Sequence, residues 1–423
     1  MGNRGSARSA GVSMFARGGR WRTPVIRPLA VATALLFALP AAAQQKPVRI
    51  GILNDQSGVF ADYQGEGSVI AARMALEDFG GKAGSLPVEI VTADHQNKTD
   101  IGIGIARRWF DQEGVDAIMD VPNSAIALGV AALAREKNKV FVGSGAGTAE
   151  LTGRQCSPNT VHWTYDTWAL GHGLARALVQ NGGKTWYFIT ADYAFGKDLE
   201  GSAAAEVKAQ GGEVLGQARH PLGASDYSSF LVQAQASGAK VIGLANAGDD
   251  MSNSIKQAAE FGLGGKQQIA GLILNVTNMP GLGLAATQGV FILTPYYWDL
   301  NDGMRSFGRR YMARHPRGAA PNDMQAGIYS AVTHYLKAAA KLGSAGDGRA
   351  VVAAMKAMPT EDPVFGQGSI RTDGRKLHPM YLMTTKTPGE STGPWDVFKA
   401  VRTIPADQAF RPLAEGGCPL VTP

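Results

Sequence analysis

Residues 48–65 read VRIGILNDQSGVFADYQG, and the reading of this stretch decides the fold. Val48, Ile50, Ile52 and Leu53 make a short apolar β run. The run breaks into a small polar loop from Asn54 to Gly58, and the spacing predicts an apolar helix from about Ser68. A strand that ends in such a loop and feeds a helix is the unit from which open α/β sheets build ligand crevices at the carboxyl ends of their strands.

Upstream of that unit, residues 1–27 carry six arginines and no acid, Leu29 to Leu39 are apolar, and Ala41-Ala42-Ala43 precede Gln44. This is the pattern of a cleavable secretory signal peptide over 1–43, too short to span a membrane. Met14 is an alternative start, the Met1-Gly2…Ser6 match to a myristoylation motif is read as chance, and no cysteine follows the apolar core to carry a lipid. The chain has 41 Lys+Arg against 35 Asp+Glu, and all six excess cations lie in the leader. The remainder is formally neutral, so no basic field is left to recruit nucleic acid or anionic lipid. Export to the periplasm is expected. The two cysteines, Cys156 and Cys418, form an even pair in an exported chain, which favours one disulfide. Two unpaired thiols are the alternative, because more than 250 residues separate them.

After the first unit, β and helical runs alternate. Strands are predicted at 88–93, 115–119, 139–143, 184–189, 213–219, 240–245, 267–274 and 290–293. Helices are predicted at 99–113, 124–137, 168–181, 196–210, 227–237, 249–262, 302–315, 323–342 and 347–357, with short β segments from Ser369 on. Such alternation indicates βαβ units and mostly parallel sheets, and about 380 residues behind the leader suggest two lobes.

Three segments carry a resemblance: VRIGILNDQSGVFADYQG, VDAIMDVPNSAIALGVAALAREKNKVFVGSGAGTAEL from Val115 and ADYAFGKDL from Ala191. Together they resemble the type I periplasmic solute-binding proteins of ABC importers, in the leucine/isoleucine/valine-binding family. The resemblance implies an α/β fold of two Rossmann-like lobes with mostly parallel sheets, joined by three hinge crossovers that let the lobes close over a ligand. On that template the first lobe is 44–163 plus 296–366 and the second is 164–295 plus 367–423. It implies a small-molecule ligand, membrane permease and ATPase partners, a monomer, no cofactor and no enzymatic activity. A periplasmic sensor feeding a receptor or regulator is the alternative role.

Carried over residue by residue, the family's ligand-carboxylate loops correspond to Pro122-Asn123-Ser124 and Gly145-Ala146-Gly147-Thr148. Loops at strand ends and helix starts present free N–H groups, and adjacent hydroxyls add donors for an anion. An N-cap is the plain alternative for Ser124. The family's second-lobe aromatic matches Phe195, with Tyr193 beside it, and Tyr165, Trp168, Tyr296, Tyr297 and Trp298 are further pocket candidates. The family's ammonium-binding acid is missing: Gly271-Leu272-Ile273-Leu274-Asn275 holds none, and Asp249 or Asp250 would have to substitute. An aromatic or short organic acid therefore fits at least as well as an amino acid. No H-E-x-x-H, G-x-S-x-G or C-x-x-C motif is present. The seven histidines are not at metal-ligand spacings, so surface or capping roles are expected of them, with no metal site.

Overall fold

The computed structural model describes residues 19–21 and 46–422, so the expected leader lies outside the described residues apart from 19–21. In chain order the strands and helices are β1 Val48–Asn54, α1 Gly65–Asp78, β2 Lys82–Ala83, β3 Leu86–Asp94, α2 Thr99–Asp111, β4 Ala117–Asp120, α3 Ser124–Glu136, β5 Val140–Gly143 and β6 Thr160–His162. Next come α4 Thr167–Gln180, β7 Thr185–Ala191, α5 Ala194–Ala209, β8 Glu213–His220, α6 Ser228–Ala236, β9 Val241–Ala245, α7 Asp249–Glu260, β10 Gln268–Gly271, α8 Met279–Ala286 and β11 Phe291–Thr294. The chain ends with α9 Asp302–Arg314, α10 Asp323–Leu342, α11 Gly348–Lys356, β12 Thr360–Asp362, β13 Gly366–Ile370, β14 Lys376–Leu377, β15 Met380–Thr385, β16 Phe398–Ile404 and α12 Ala406–Ala409.

The first lobe is built on a sheet in the order β2-β3-β1-β4-β5-β6, parallel except for the β2 hairpin. Its central strand β1 has helices on both faces. Ile50 and Ile52 pack toward α1 and α10, whereas Leu53 joins Trp109 of α2 and Ile126 and Val130 of α3. Burial on both sides is why this strand reads as a nearly unbroken apolar run. Gly51 interrupts it because the Trp109 ring lies directly over that position, where a Cβ would collide with it. The second lobe has a parallel sheet, β10-β9-β7-β8, and its core extends onto an antiparallel sheet, β11-β15-β16.

The chain crosses between lobes after β6, after β11 and between β14 and β15. β12, β13 and β14 pair as one antiparallel sheet, in which β13 spans residues 366 and 367. Two of the crossings are stitched together. His378 Nε2 meets the Thr164 carbonyl at 2.7 Å, Arg375 Nη1 donates to the Tyr165 carbonyl at 3.0 Å, and Asp166 lies 3.5 Å from the same guanidinium. The Lys376 ammonium sits 4.4 Å from the Phe365 ring centre and 5.2 Å from that of Trp163, and burial pushes its pKa down to about 7.

Cys156 and Cys418 are joined, with Cα atoms 5.6 Å apart. The bond ties the C-terminal tail to the 149–156 segment, and Arg411 Nη2 reinforces it by donating to the Ala149 carbonyl at 3.1 Å. The C-terminal tail is thus fastened to the segment that precedes β6. Among the described residues, no helix is long and apolar enough to cross a membrane.

The cleft between the lobes

On the first lobe, three strand-end loops face the cleft. After β1, Asp55 organises the turn: its carboxylate accepts from the amides of Gly58 at 2.8 Å and Phe60 at 3.0 Å, which sets Phe60 and Tyr63 at the lobe surface. After β4 the backbone enters the left-handed region twice in succession, at Asp120 (φ 83°) and Val121 (φ 55°). A β-branched residue there is a strained outlier, of order 1–3 kcal/mol, and the strain turns Pro122 to Ser124 toward the cleft. After β5, Gly145 lies so close to the Gln64 side chain that no Cβ would fit. Gln64 is fully buried, and neither end of its amide has a partner. Behind it Asp120 accepts from Asn54 Nδ2 and Ser144 Oγ at 3.1 Å each, and burial lifts its pKa to about 6.

The second lobe supplies Tyr193 and Phe195 at the start of α5, Ala247 after β9 and Ile273 after β10. With Phe60, Tyr63, Pro122, Gly145, Tyr165 and Met324 they enclose an inner cavity whose void is only about 10 Å³. The lobes meet on both sides of it. On one side Tyr63 Oη donates to Asn278 Oδ1 at 2.7 Å, and the Asp249 amide donates to the Val59 carbonyl at 3.2 Å. On the other, the Phe195 ring lies flush on Gly147, where a Cβ would stand 2.5 Å from it. There Thr148 Oγ1 also donates to Asp198 Oδ2 at 2.6 Å.

The expected site residues separate into three groups. Tyr193, Phe195 and Tyr165 line the inner cavity. Asn123 Oδ1 caps α3 by accepting from the Ala125 and Ile126 amides. Ser124 Oγ accepts from the Thr148 amide at 3.2 Å, and the Thr148 hydroxyl is taken by Asp198. Ala146 is buried with its carbonyl 2.7 Å from His162 Nε2, and Gly147 lies under the Phe195 ring. Asp249 and Tyr297 lie elsewhere. Asp249 lines an outer groove of about 510 Å³, with Val59, Asp62, Asn278, His315 and Arg317. Tyr297 instead anchors the antiparallel sheet, donating to the Trp395 carbonyl at 2.9 Å and accepting from the Val397 amide at 3.0 Å.

Of the other aromatic candidates, Trp168 stacks on His172, Tyr296 packs against Phe307 and Phe365, and Trp298 donates to the Trp395 carbonyl. Phe60, Tyr63, Met324 and Asp198 were not singled out from sequence. The first two stand in the quoted 48–65 stretch, where an aromatic in a strand-end loop is the available signal; Asp198 has none. The histidines correct the expectation of surface roles: His95, His162, His220, His334 and His378 are buried, because neutral imidazole is apolar enough for a core when one nitrogen is satisfied.

Asp323, at the start of α10 beside Met324, has its carboxyl pushed up to about 7 by burial. Asp55, Asp94 and His95 bring ligand-type atoms within 4.8 Å of one another. Their atoms serve the loops instead. Asp94 accepts from Ser57 Oγ and the Gln56 and Gln96 amides, and His95 Nδ1 accepts from the Asn97 amide.

The comparisons with known proteins agree with this architecture. A family model described as "periplasmic binding protein" matches residues 47–392. A periplasmic binding protein from Burkholderia mallei superposes with a TM-score of 0.86 at 48% identity, covering 89% of this chain and 99% of its own. A branched-chain amino acid ABC transporter periplasmic ligand-binding protein from Burkholderia xenovorans gives 0.78 at 39% identity, covering 88% of this chain and 99% of its own. Leu/Ile/Val-binding protein homolog 6 of Brucella abortus is 25% identical over 364 residues, 84% of this chain and 90% of that one.

Proposed function

The chain belongs to the periplasmic binding protein family, substrate-binding components of ABC transporters rather than enzymes, and from that premise we propose that it captures a small organic ligand between its lobes and delivers it to an importer's permease and ATPase. The observation that carries the reading is the inner cavity. Phe60 and Tyr63 from the first lobe and Tyr165 at the first crossing meet Tyr193 and Phe195 from the second lobe, so a ligand body is gripped by ring faces only when the lobes are together. A void of about 10 Å³ admits no such ligand without the lobes parting, so a ligand enters an opened form and the lobes shut around it.

The ligand proposed is an amino acid or an aromatic or other small organic acid. Ring faces take its apolar body at low entropy cost. Its carboxylate meets the Ser124 and Ala146–Gly147 loops and the unpartnered amide of Gln64. An ammonium group has no carboxylate waiting in the 271–275 segment, so it contributes little. The protein is exported by its cleaved leader and works as a monomer in the periplasm. Lobe limits follow the three crossings, near 164, 295 and 378.

Thermal-shift screening of the leaderless protein against amino acids, aromatic acids, amides and small dicarboxylates tests this. The expected result is stabilisation by one class, read as a rise in melting temperature. Chemical consumption of that ligand by the pure protein would overturn the binding-only reading.

A further inference from the structure

The hydroxyl and amide that a carboxylate would seek on the first lobe already hold one, and it belongs to the protein. Asp198, on α5 of the second lobe, places Oδ2 2.6 Å from Thr148 Oγ1, 3.0 Å from the Ala149 amide and 3.1 Å from Thr167 Oγ1. Two of these donors lie across the cleft, and the third stands at the foot of α4 on its own side. The Thr148 amide is separately bonded to Ser124 Oγ, which fixes the loop that presents the hydroxyl. Phe195, three residues before Asp198, rests on Gly147, so the ionic and aromatic contacts close together.

We propose that Asp198 determines specificity as an internal anion: it fills the Thr148–Ala149 cradle, draws the lobes shut and keeps a ligand's carboxylate out of that cradle. Three consequences follow from the geometry. A ligand's polar end is displaced inward, toward Gly147, Ala146 and the unpartnered Gln64 amide. Closure is favoured before any ligand arrives, because hydrogen bonds to an ionised carboxylate are the strong ones. Anions too small to reach the aromatic rings gain nothing from Thr148, so they do not compete. The inference rests on the closing two-lobe reading, but its test needs no knowledge of the ligand.

The test is small-angle scattering and thermal unfolding of the ligand-free, disulfide-intact protein, with sodium acetate as the probe. Wild type is expected to be compact and indifferent to acetate. Asp198→Ala should shift the lobes open, lowering the closed-to-open ratio by roughly ten- to a hundredfold, and acetate should restore both compaction and melting temperature as it enters the vacated cradle. Thr148→Val, which removes a donor rather than the anion, should open the lobes without acetate rescue. Asp198→Asn keeps the cradle filled by shape and should show no acetate response. Asp198→Ala that stays as compact as wild type, or wild type that responds to acetate as strongly as Asp198→Ala, would overturn the proposal. Neither result would touch the assignment of the aromatic cavity, which ligand screening tests.

Discussion

The inner cavity and the outer groove lie on the same seam between the lobes and share Tyr63, yet they are made of different chemistry. The inner one is walled by Phe60, Tyr63, Tyr165, Tyr193 and Phe195 around a void of about 10 Å³. The outer one, about 510 Å³, is rimmed by Asp62, Asp249, His315 and Arg317. Apolar surface withdrawn from water stabilises a complex in proportion to its area, whereas charged groups that stay wet contribute little. On the proposed reading, the larger space is not the stronger site. Affinity should reside where the rings close, and the groove should govern approach.

The sharpest way to break that comparison is to keep both chemistries and prevent closure. Gly147 has no room for a Cβ while Phe195 lies on it. Gly147→Val should therefore hold the lobes apart and weaken binding of the ligand found by screening by about a thousandfold, near 4 kcal/mol. Calorimetry and scattering check this. A variant that still closes and binds as wild type would mean that the aromatic contact is not the closing surface.

Next comes the ring itself. Phe195 is buried and shared between cavity and seam, the position of an interface hot spot. Phe195→Ala should cost about 2–3 kcal/mol, roughly 30- to 150-fold in affinity. The same truncation at Tyr297 should leave affinity within about threefold, because that ring serves the β15–β16 sheet, and should instead lower stability by about 3–5 kcal/mol.

A pH experiment sharpens the contrast between the two environments. Burial raises the Asp323 carboxyl to about 7, so the folded state holds its proton more tightly than the unfolded chain does. Its stabilising contribution is complete below about pH 4 and is lost as pH rises toward 7. Asp323→Asn should flatten the stability profile over that window by about 1–3 kcal/mol relative to wild type, read as the pH dependence of chemical denaturation. Asp249, exposed at the groove, is raised in the same direction, with loss of hydration the main cause and neighbouring acids adding to it. Asp249→Asn should change the profile less, because solvent screens a partly exposed group.

Much of this organisation was legible in the chain because buried parallel strands read as apolar runs of limited length. β7, β9 and β11 and helices α9, α10 and α11 fall within two residues of expectation at each end. Three features were not legible, for separate reasons. β6, Thr160–His162, is three residues with little apolar signal, and its strand character comes from pairing with β5. α8 is hidden by Pro280, Gly281 and Gly283, the last with φ 72° inside the helix. The strand expected over 267–274 stops at Gly271, where the chain turns into the cleft. In the site, strand-end loops identified the cleft-facing segments, but the partners within them did not show. Thr148 bonds to Asp198 fifty residues away across two lobes, and no local pattern encodes such a pairing.

The smallest effect belongs to the groove and bears most directly on the comparison. Arg317 pairs with Asp62 at the rim, with the two side chains 67% and 53% exposed. Pairs that open to water are worth about 0–1 kcal/mol and act mainly on encounter, through a field that salt screens. Arg317→Ala should thus alter affinity by less than about fivefold. The change should fall on the association rate and fade as ionic strength rises. Stopped-flow tryptophan fluorescence can follow it, since Trp395 lines the groove. Should Arg317→Ala cost as much as Phe195→Ala, and do so through dissociation at high salt, the groove would be part of the ligand's own contact surface. The division between an apolar grip and a polar approach would then fail.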